Sequence, residues 1–356
     1  MTMGKILFGS VVSLLFVIAG VAFWFYVSLT APVEHAVADR YIKIERGMTQ
    51  GQILAKLSDE GVIASPFPVQ VYLRIFVDSS KLQAGEYRFS SPITPIQVIR
   101  QLEKGNVELK RLTIPEGFTR FDIANRIAEI SPGDPPLTEK EIFLLMNDTS
   151  PIRDIAPEAK NLEGYLFPST YEFAPNTAPV SIIRQLTEQF KKVWKPEWTE
   201  RADEIGKTPH QIITIASMVE TESPVENERP IVSSVIYNRL KKNIPLGIDQ
   251  TAVYVAKMEG RWDKDLNKSD LNVSSPYNTR KYAGLPPGPI ASVSTSSIMA
   301  ALYPADTNYL FFVRNVVVNN GSHNFYSSAA EFEKGKAEYQ KWLAEERKIR
   351  DANSRD

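Results

Sequence analysis

The stretch Thr208-Pro-His-Gln-Ile-Ile-Thr-Ile-Ala-Ser-Met-Val-Glu-Thr-Glu-Ser223 decides the reading of this chain, because it writes a helix that is apolar almost all round and ends on acids. Thr208 suits an N-cap, where its oxygen accepts from a free N–H of the first turn, and Pro209 suits the first helical position, where no N–H is needed. Ile212, Ile213, Ile215, Ala216, Met218 and Val219 leave little polar surface, so burial of the helix is expected. Glu220 closes the run. A carboxyl in such surroundings favours its protonated form, and a neutral carboxylic acid is what protonating a glycosidic oxygen requires. The plainer alternative is a helix end at which Glu220 has reached water. Glu220 and Glu222 project about 200° apart on a helix, and both flank apolar residues, so periodicity does not choose between them.

The rest of the composition narrows the chemistry. At 356 residues, with 43% hydrophobic and 23% charged residues, the chain is ordinary globular protein with room for two domains. A net charge of -1 and the lack of basic clusters argue against a nucleic-acid partner. Without cysteine there is no thiolate catalysis, disulfide or Cys-based zinc site. His35, His210 and His323 are too scattered for a three-His metal site, and neither a Gly-x-Gly-x-x-Gly fingerprint nor a phosphate-cradling loop occurs. A mechanism with no metal and no cofactor is expected.

Toward the amino terminus, no charged residue occurs from Ile6 to Val33, and Trp24, Phe25 and Tyr26 gather near the end of the apolar run. The pattern predicts a transmembrane helix over 6–30 with an aromatic belt. Lys5 precedes it, whereas Glu34, His35, Asp39 and Arg40 follow, which puts residues 1–5 in the cytoplasm and the bulk outside, in the periplasm of a single-pass inner-membrane protein. A cleaved signal peptide is the alternative, because Ala36-Val37-Ala38 resembles a cleavage site, but signal cores are normally only about 7–15 residues long.

Residues 41–130 hold a weak repeat of strand, turn and helix. The first copy starts at Tyr41-Ile-Lys-Ile-Glu45 and reaches the stop Gly61; the second starts at Glu86-Tyr-Arg-Phe89 and ends at Gly105; the third starts at Leu109 and runs through Gly117 to Ile127. Thr49, Thr94 and Thr119 stand where N-caps belong. The first copy is loosely similar to a LysM motif, so a small LysM-like α+β module is expected, serving either glycan binding or spacing. A further helix is expected over 66–77. Beyond Pro132-Gly-Asp-Pro-Pro136 the composition changes, and helices are predicted over 139–146, 180–194, 209–222, 226–242 and 329–348, with strands over 309–313 and 324–326. The proline-stiffened loop over 271–294 is too long for an idle connector. The fold class is α+β: an N-terminal transmembrane helix, the repeats, and a mainly helical catalytic domain over 131–356.

Taken in order, Leu162-Glu-Gly-Tyr-Leu-Phe-Pro168, Ile215-Ala-Ser-Met-Val-Glu-Thr-Glu222, Val235-Ile-Tyr-Asn-Arg-Leu240, Ile248-Asp-Gln-Thr251, Ser275-Pro-Tyr-Asn-Thr279, Gly284-Leu-Pro-Pro-Gly288 and Gly321-Ser-His-Asn-Phe325 carry a resemblance. Together they resemble the MltG/YceG family of endolytic murein transglycosylases. The resemblance implies a membrane-anchored enzyme that cuts nascent peptidoglycan strands beside peptidoglycan synthases, and it identifies Glu220 as the acid. It implies cleavage between N-acetylmuramic acid and N-acetylglucosamine with formation of a 1,6-anhydromuramyl end, so that the enzyme is a lyase and needs no second carboxylate to activate water.

Around that acid, Glu163 and Asp249 are candidates for supporting the oxocarbenium charge, or else partners of Arg229 or Arg239. Asn238 and Arg239 are expected to face the groove. Tyr277, Asn278, Gly284, Leu285, Pro286 and Pro287 offer a rigid wall of aromatic and amide character, which sugar rings favour. Tyr165 and Gln250 stand in matching segments and join the expected substrate contacts. His323 and Phe325 either touch substrate or hold two strands together. The rival readings are a hydrolytic muramidase and a non-catalytic peptidoglycan-binding scaffold.

Overall fold

The computed structural model describes residues 2–38, 40–76, 82–105, 110–130, 136–173 and 177–353, with side chains described from residue 14 to residue 349 of those. The chain divides into two compact units, Met1–Glu108 and Leu109–Asp356.

The first unit begins with α1 (Thr2–Thr30). After it come β1 (Ile42–Ile44), α2 (Gln50–Asp59), α3 (Pro66–Phe76), β2 (Gly85–Tyr87) and α4 (Pro95–Lys104). β1 and β2 pair antiparallel, with Ile42 opposite Tyr87. Thr49 and Thr94 cap α2 and α4 as expected, each in a capping box closed by Gln52 or Gln97. Ile42, Ile44, Leu54, Leu57, Leu73, Tyr87, Phe89, Val98 and Leu102 form the core beneath them.

Among the described residues no helix is long and apolar enough to cross a membrane. This corrects the expected transmembrane helix over 6–30 and the single-pass inner-membrane location drawn from it. Residues 6–13 of that expected span lie outside those whose side chains are described, and the described side chains of α1 begin only at Leu14.

The second unit contains β3 (Lys110–Ile114), α5 (Arg120–Ile130), α6 (Glu139–Leu145), β4 (Ser169–Phe173), α7 (Pro179–Val193), α8 (Pro196–Glu204), α9 (Pro209–Glu222), α10 (Arg229–Lys241), α11 (Asp249–Met258), α12 (Lys268–Leu271), α13 (Thr295–Leu302), β5 (Phe311–Arg314), β6 (His323–Tyr326) and α14 (Ala329–Asn353). The third sequence copy therefore belongs here: β3 pairs antiparallel with β4, Leu112 opposite Tyr171, and Ile123, Ala124 and Ile127 of α5 join the second core. The two compact units divide between Glu108 and Leu109. The linker read over 132–136 lies, apart from Pro136, outside the described residues.

Helix α9 is the centre of this unit and packs against α8, α10, α11 and α13. Its apolar residues Ile212, Ile213, Ile215, Ala216, Met218 and Val219 are all fully buried, and Thr208 caps it in a box with Gln211. Because every face of α9 meets a neighbour, its ends are the places where polar side chains can gather. β5 and β6 pair antiparallel, with His323 opposite Arg314, so His323 opens a strand rather than sitting in the turn before it.

Candidate active site

At the carboxy-terminal end of α9, Glu220 meets side chains from three other segments. Arg229, the first residue of α10, donates from Nη2 to Glu220 Oε1 at 2.9 Å. Ser294, the N-cap of α13, donates to Glu220 Oε2 from its backbone N at 2.8 Å and from Oγ at 2.5 Å. The same Ser294 Oγ accepts from Arg229 Nη1 at 2.7 Å and from Ser297 N at 3.1 Å, so one hydroxyl ties the acid, the arginine and a helix start together. The Glu220 side chain is only 3% exposed. Burial in apolar surroundings was expected, but the carboxyl is not isolated there, because Arg229 and Ser294 donate to both of its oxygens. Along α9, Ala216, Met218 and Val219 before Glu220 are apolar, whereas α10 and α13 present a guanidinium and an N-cap whose donors reach both carboxyl oxygens.

A second carboxyl stands beside it. Glu116 Oε2 lies 3.9 Å from Arg229 Nη2, so the same guanidinium nitrogen that donates to Glu220 also faces Glu116. Burial pushes Glu116 up, the Glu220 charge pushes it further, Arg229 pulls it back, and Glu226 adds to the rise. Residues 115–118 are fixed against the strand-like segment before α13: Gly117 N donates to Ser292 O at 3.1 Å, Ser292 N to Phe118 O at 2.7 Å, and Ser292 Oγ to Pro115 O at 3.2 Å.

Glu222 differs from Glu220 in its surroundings. Burial pushes it up to about 7, the Asp249 charge adds to the rise, and the backbone N–H of Gln250 opposes it. Asp249, the first residue of α11, pairs with Arg280 at 2.5 Å. His323 stands near this end of α9 through Glu228, the residue before Arg229: its Nδ1 lies 3.0 Å from Glu228 Oε2 and its backbone N donates to both oxygens. Phe325 packs against Tyr309 and Phe312.

Several expected site residues are elsewhere. Tyr165 is fully buried, with its hydroxyl 2.7 Å from His210 Nδ1, and the other ring nitrogen of His210 lies 3.2 Å from Pro287 O. Leu285, Pro286 and Pro287 line a cleft of about 740 Å³ with Glu158, Lys207, Thr208 and Gln211. That cleft is at the amino-terminal end of α9, about 15 Å along the helix from Glu220 at 1.5 Å per residue. Segment 287–294 connects the two ends, because it runs beside α9 and meets His210, Ser217 and Glu220 in turn; Ile290 N donates to Ser217 Oγ at 3.1 Å. Gly284 sits at φ +97° at the start of the loop.

Glu163 is buried and takes the backbone N–H of Arg120 on both oxygens at 3.1 Å. Burial pushes it up to about 7 against the Arg120 charge. Asn278 is fully buried and spends its amide on Leu271 O and Val273 O. Tyr277 packs on Tyr254, ring centroids 5.0 Å apart. Asn238 donates to Thr307 O and Tyr309 O, and Arg239 to Leu310 O, Pro245 O and Leu246 O, so both clamp backbone instead of opening onto a groove. The carboxylates expected to partner Arg229 are taken by others, and Arg229 holds Glu220 itself. Sequence reasoning missed Arg229, Ser294 and Glu116 as neighbours of the acid. One signal was present: an arginine opening a helix opposes the helix dipole and therefore calls for an acidic partner.

A family model, that of the YceG-like family, matches residues 42–338 of the chain. The endolytic murein transglycosylase of Bacillus subtilis (strain 168) is 33% identical over 342 residues, covering 90% of this chain and 91% of that protein. The endolytic murein transglycosylase of Streptococcus pneumoniae serotype 2 is 26% identical over 303 residues, covering 77% of this chain and 54% of that protein. Among solved structures, a YceG-like protein from Listeria monocytogenes matches with a TM-score of 0.55 at 30% identity, over 83% of this chain and 98% of that one.

Proposed function

The chain belongs to the YceG-like family, and from that premise we propose that it is an endolytic lytic transglycosylase of peptidoglycan with Glu220 as its acid and base. It cuts the bond between N-acetylmuramic acid and N-acetylglucosamine inside a glycan strand. Glu220 protonates the bridging oxygen; the bond to the muramyl C1 breaks with its electron pair leaving on that oxygen, and positive charge develops at C1. The C6 hydroxyl of the same sugar then attacks C1 and gives its proton to the Glu220 carboxylate. The product is a 1,6-anhydromuramyl end, and no water is consumed.

One observation carries the assignment of Glu220. Its carboxyl is the point at which the end of α9, the start of α10 and the N-cap of α13 meet, with Arg229 at 2.9 Å and Ser294 N at 2.8 Å. Those donors suit the carboxylate that must exist between the two proton transfers, and preorganised donors cost no rearrangement at that moment. Segment 287–294 links this acid to the Leu285, Pro286 and Pro287 cleft, which supports a groove along α9 for a strand longer than one sugar.

The test uses defined uncrosslinked glycan strands and mass spectrometry of the new ends. Internal cleavage with ends lighter by one water than a reducing end is the expected result for the wild-type chain, and Glu220→Gln, nearly the same shape without an acidic proton, is expected to abolish it. Reducing ends would instead indicate a hydrolytic muramidase. Full activity of Glu220→Gln together with an inactive Glu222→Gln would move the acid two residues along the helix, and no cleavage by the wild-type chain would favour a binding scaffold.

A further inference from the structure

We propose that His210 is a positioning residue for substrate: it fixes the wall made by Leu285, Pro286 and Pro287 in the cleft of about 740 Å³, and that cleft holds the part of a glycan strand lying beyond the sugars at the acid. The inference rests on the reading of the chain as a strand-cleaving enzyme whose groove runs along α9.

Its starting point is how little else holds the loop. Pro286, Pro287 and Pro289 have no N–H to donate. Among the described residues, the segment 283–289 makes one hydrogen bond, that of Pro287 O with His210 Nε2 at 3.2 Å. A carbonyl only accepts, so Nε2 carries the hydrogen. In the neutral ring Nδ1 is then an acceptor, and the Tyr165 hydroxyl donates to it at 2.7 Å. Tyr165 is fully buried and its ring meets that of Phe190 edge-on, centroids 5.1 Å apart, so this donor is anchored in the core. His210 stands in the first turn of α9 and is 9% exposed. The imidazole thus passes a fixed orientation from the core to the loop. Gly288 lies close against the same ring, because a Cβ there would be 3.4 Å from both Cε1 and Nε2.

The walls of the cleft suit a sugar strand. Leu285, Pro286 and Pro287 give it an apolar face, while Lys207 and Gln211 supply N–H donors and Glu158 a carboxylate around that face. At about 15 Å along α9 from Glu220, the cleft does not touch the bond being cut. Contacts made there are the same before and during bond breaking. Such binding lowers KM for strands long enough to reach the cleft and leaves kcat alone.

The experiment measures kcat and KM of the full chain on long uncrosslinked strands and on a tetrasaccharide, whose two sugars on either side of the cut stop short of the cleft. Wild type is expected to have the lower KM on the long strands. Asparagine at position 210 reproduces the acceptor at Nδ1 but does not reach the loop, whereas glutamine carries an amide N–H to the place of Nε2 and donates to Pro287 O. His210→Asn is therefore expected to raise the long-strand KM by roughly two- to tenfold, the worth of one hydrogen bond, with kcat unchanged and no rise on the tetrasaccharide. His210→Gln is expected to stay within about twofold of wild type. Pro287→Gly, at an exposed position, keeps the carbonyl but loosens the loop, and is expected to raise the long-strand KM in the same way, which keeps the test decisive if a histidine variant fails to fold. Equal losses in folded His210→Asn and His210→Gln, a fall in kcat in place of a rise in KM, the same rise on the tetrasaccharide, no preference of wild type for long strands, or an unchanged KM in Pro287→Gly would overturn the proposal while an inactive Glu220→Gln left the reading of the acid in place. A fully active Glu220→Gln, or no cleavage by wild type, would instead overturn that reading itself.

Discussion

Arg229 donates to Glu220 across 2.9 Å with side-chain exposures of 9% and 3%, which makes the pair a desolvated ion pair at the end of the central helix. A cation in the first turn of α10 opposes that helix's dipole, so the partner and not the helix explains why an arginine stands there. Removing one member of such a pair leaves the other buried and uncompensated, which generally costs about 3–5 kcal/mol. Arg229→Met is expected to destabilise the protein by about 3 kcal/mol in urea unfolding. Combining it with Glu220→Gln should cost less than the sum of the two changes, with a coupling of about 1–3 kcal/mol. Additive losses would mean that the two groups do not interact in solution.

Glu222 makes stability depend on pH in a direction opposite to a salt-bridged acid. Its folded-state value is raised from 4.5 to about 7 by burial, with the Asp249 charge adding to it. Between those values the folded chain holds a proton that the unfolded chain releases, so this stabilisation is complete below 4.5 and is lost as pH rises through about 7. Glu222→Gln has no such titration. Relative to wild type it is expected to gain on the order of 1–3 kcal/mol between pH 5 and pH 8, less than the full shift because the residue is only partly buried. Denaturant unfolding at the two pH values measures this, and an equal difference at both would remove Glu222 as the cause. Glu163 is raised to about 7 as well, but its glutamine variant would leave Arg120 without its charge partner and so gives no clean comparison.

The elements visible in the sequence are those specified by neighbours in the chain. Thr208 with Gln211, Thr49 with Gln52 and Thr94 with Gln97 each fix a helix start across three residues, and the apolar run from Ile212 to Val219 fixes the buried helix between. Pairing across long separations left no such mark: β3 joins β4 through Leu112 and Tyr171, so the third repeat copy belongs to the larger unit. Helix α11 went unread because Ile248 offers no side-chain cap, and Asp249 and Gln250 looked like loop residues of a site. The site divides in the same way. Glu220 was legible as an acid closing an apolar helix, but Ser294 lies 74 residues further on, and nothing local to α9 tells what α13 brings to it. Tyr165 and Asn278 carry polar groups that suit sugars, yet those groups are consumed inside the protein by His210, Leu271 and Val273.

Gly164 provides a test of how segment 287–294 is seated. It has φ +83°, and a Cβ there would come within 2.6 Å of Pro289 Cβ and 2.7 Å of Ile213 Cγ2. Gly164→Ala thus combines left-handed backbone strain of about 1–2 kcal/mol with overpacking of about 1–3 kcal/mol. Gly117, at φ +76° with nothing within 4 Å of its would-be Cβ, carries the strain alone. In urea unfolding Gly164→Ala is expected to cost about 2 kcal/mol more than Gly117→Ala. Strand cleavage by Gly164→Ala should fall as well, because displacing Pro289 pushes on the segment that ends at Ser294, whose backbone N is 2.8 Å from Glu220. Equal costs for the two alanines would mean that Pro289 does not pack on Gly164, and that segment 287–294 is free to move without disturbing the acid.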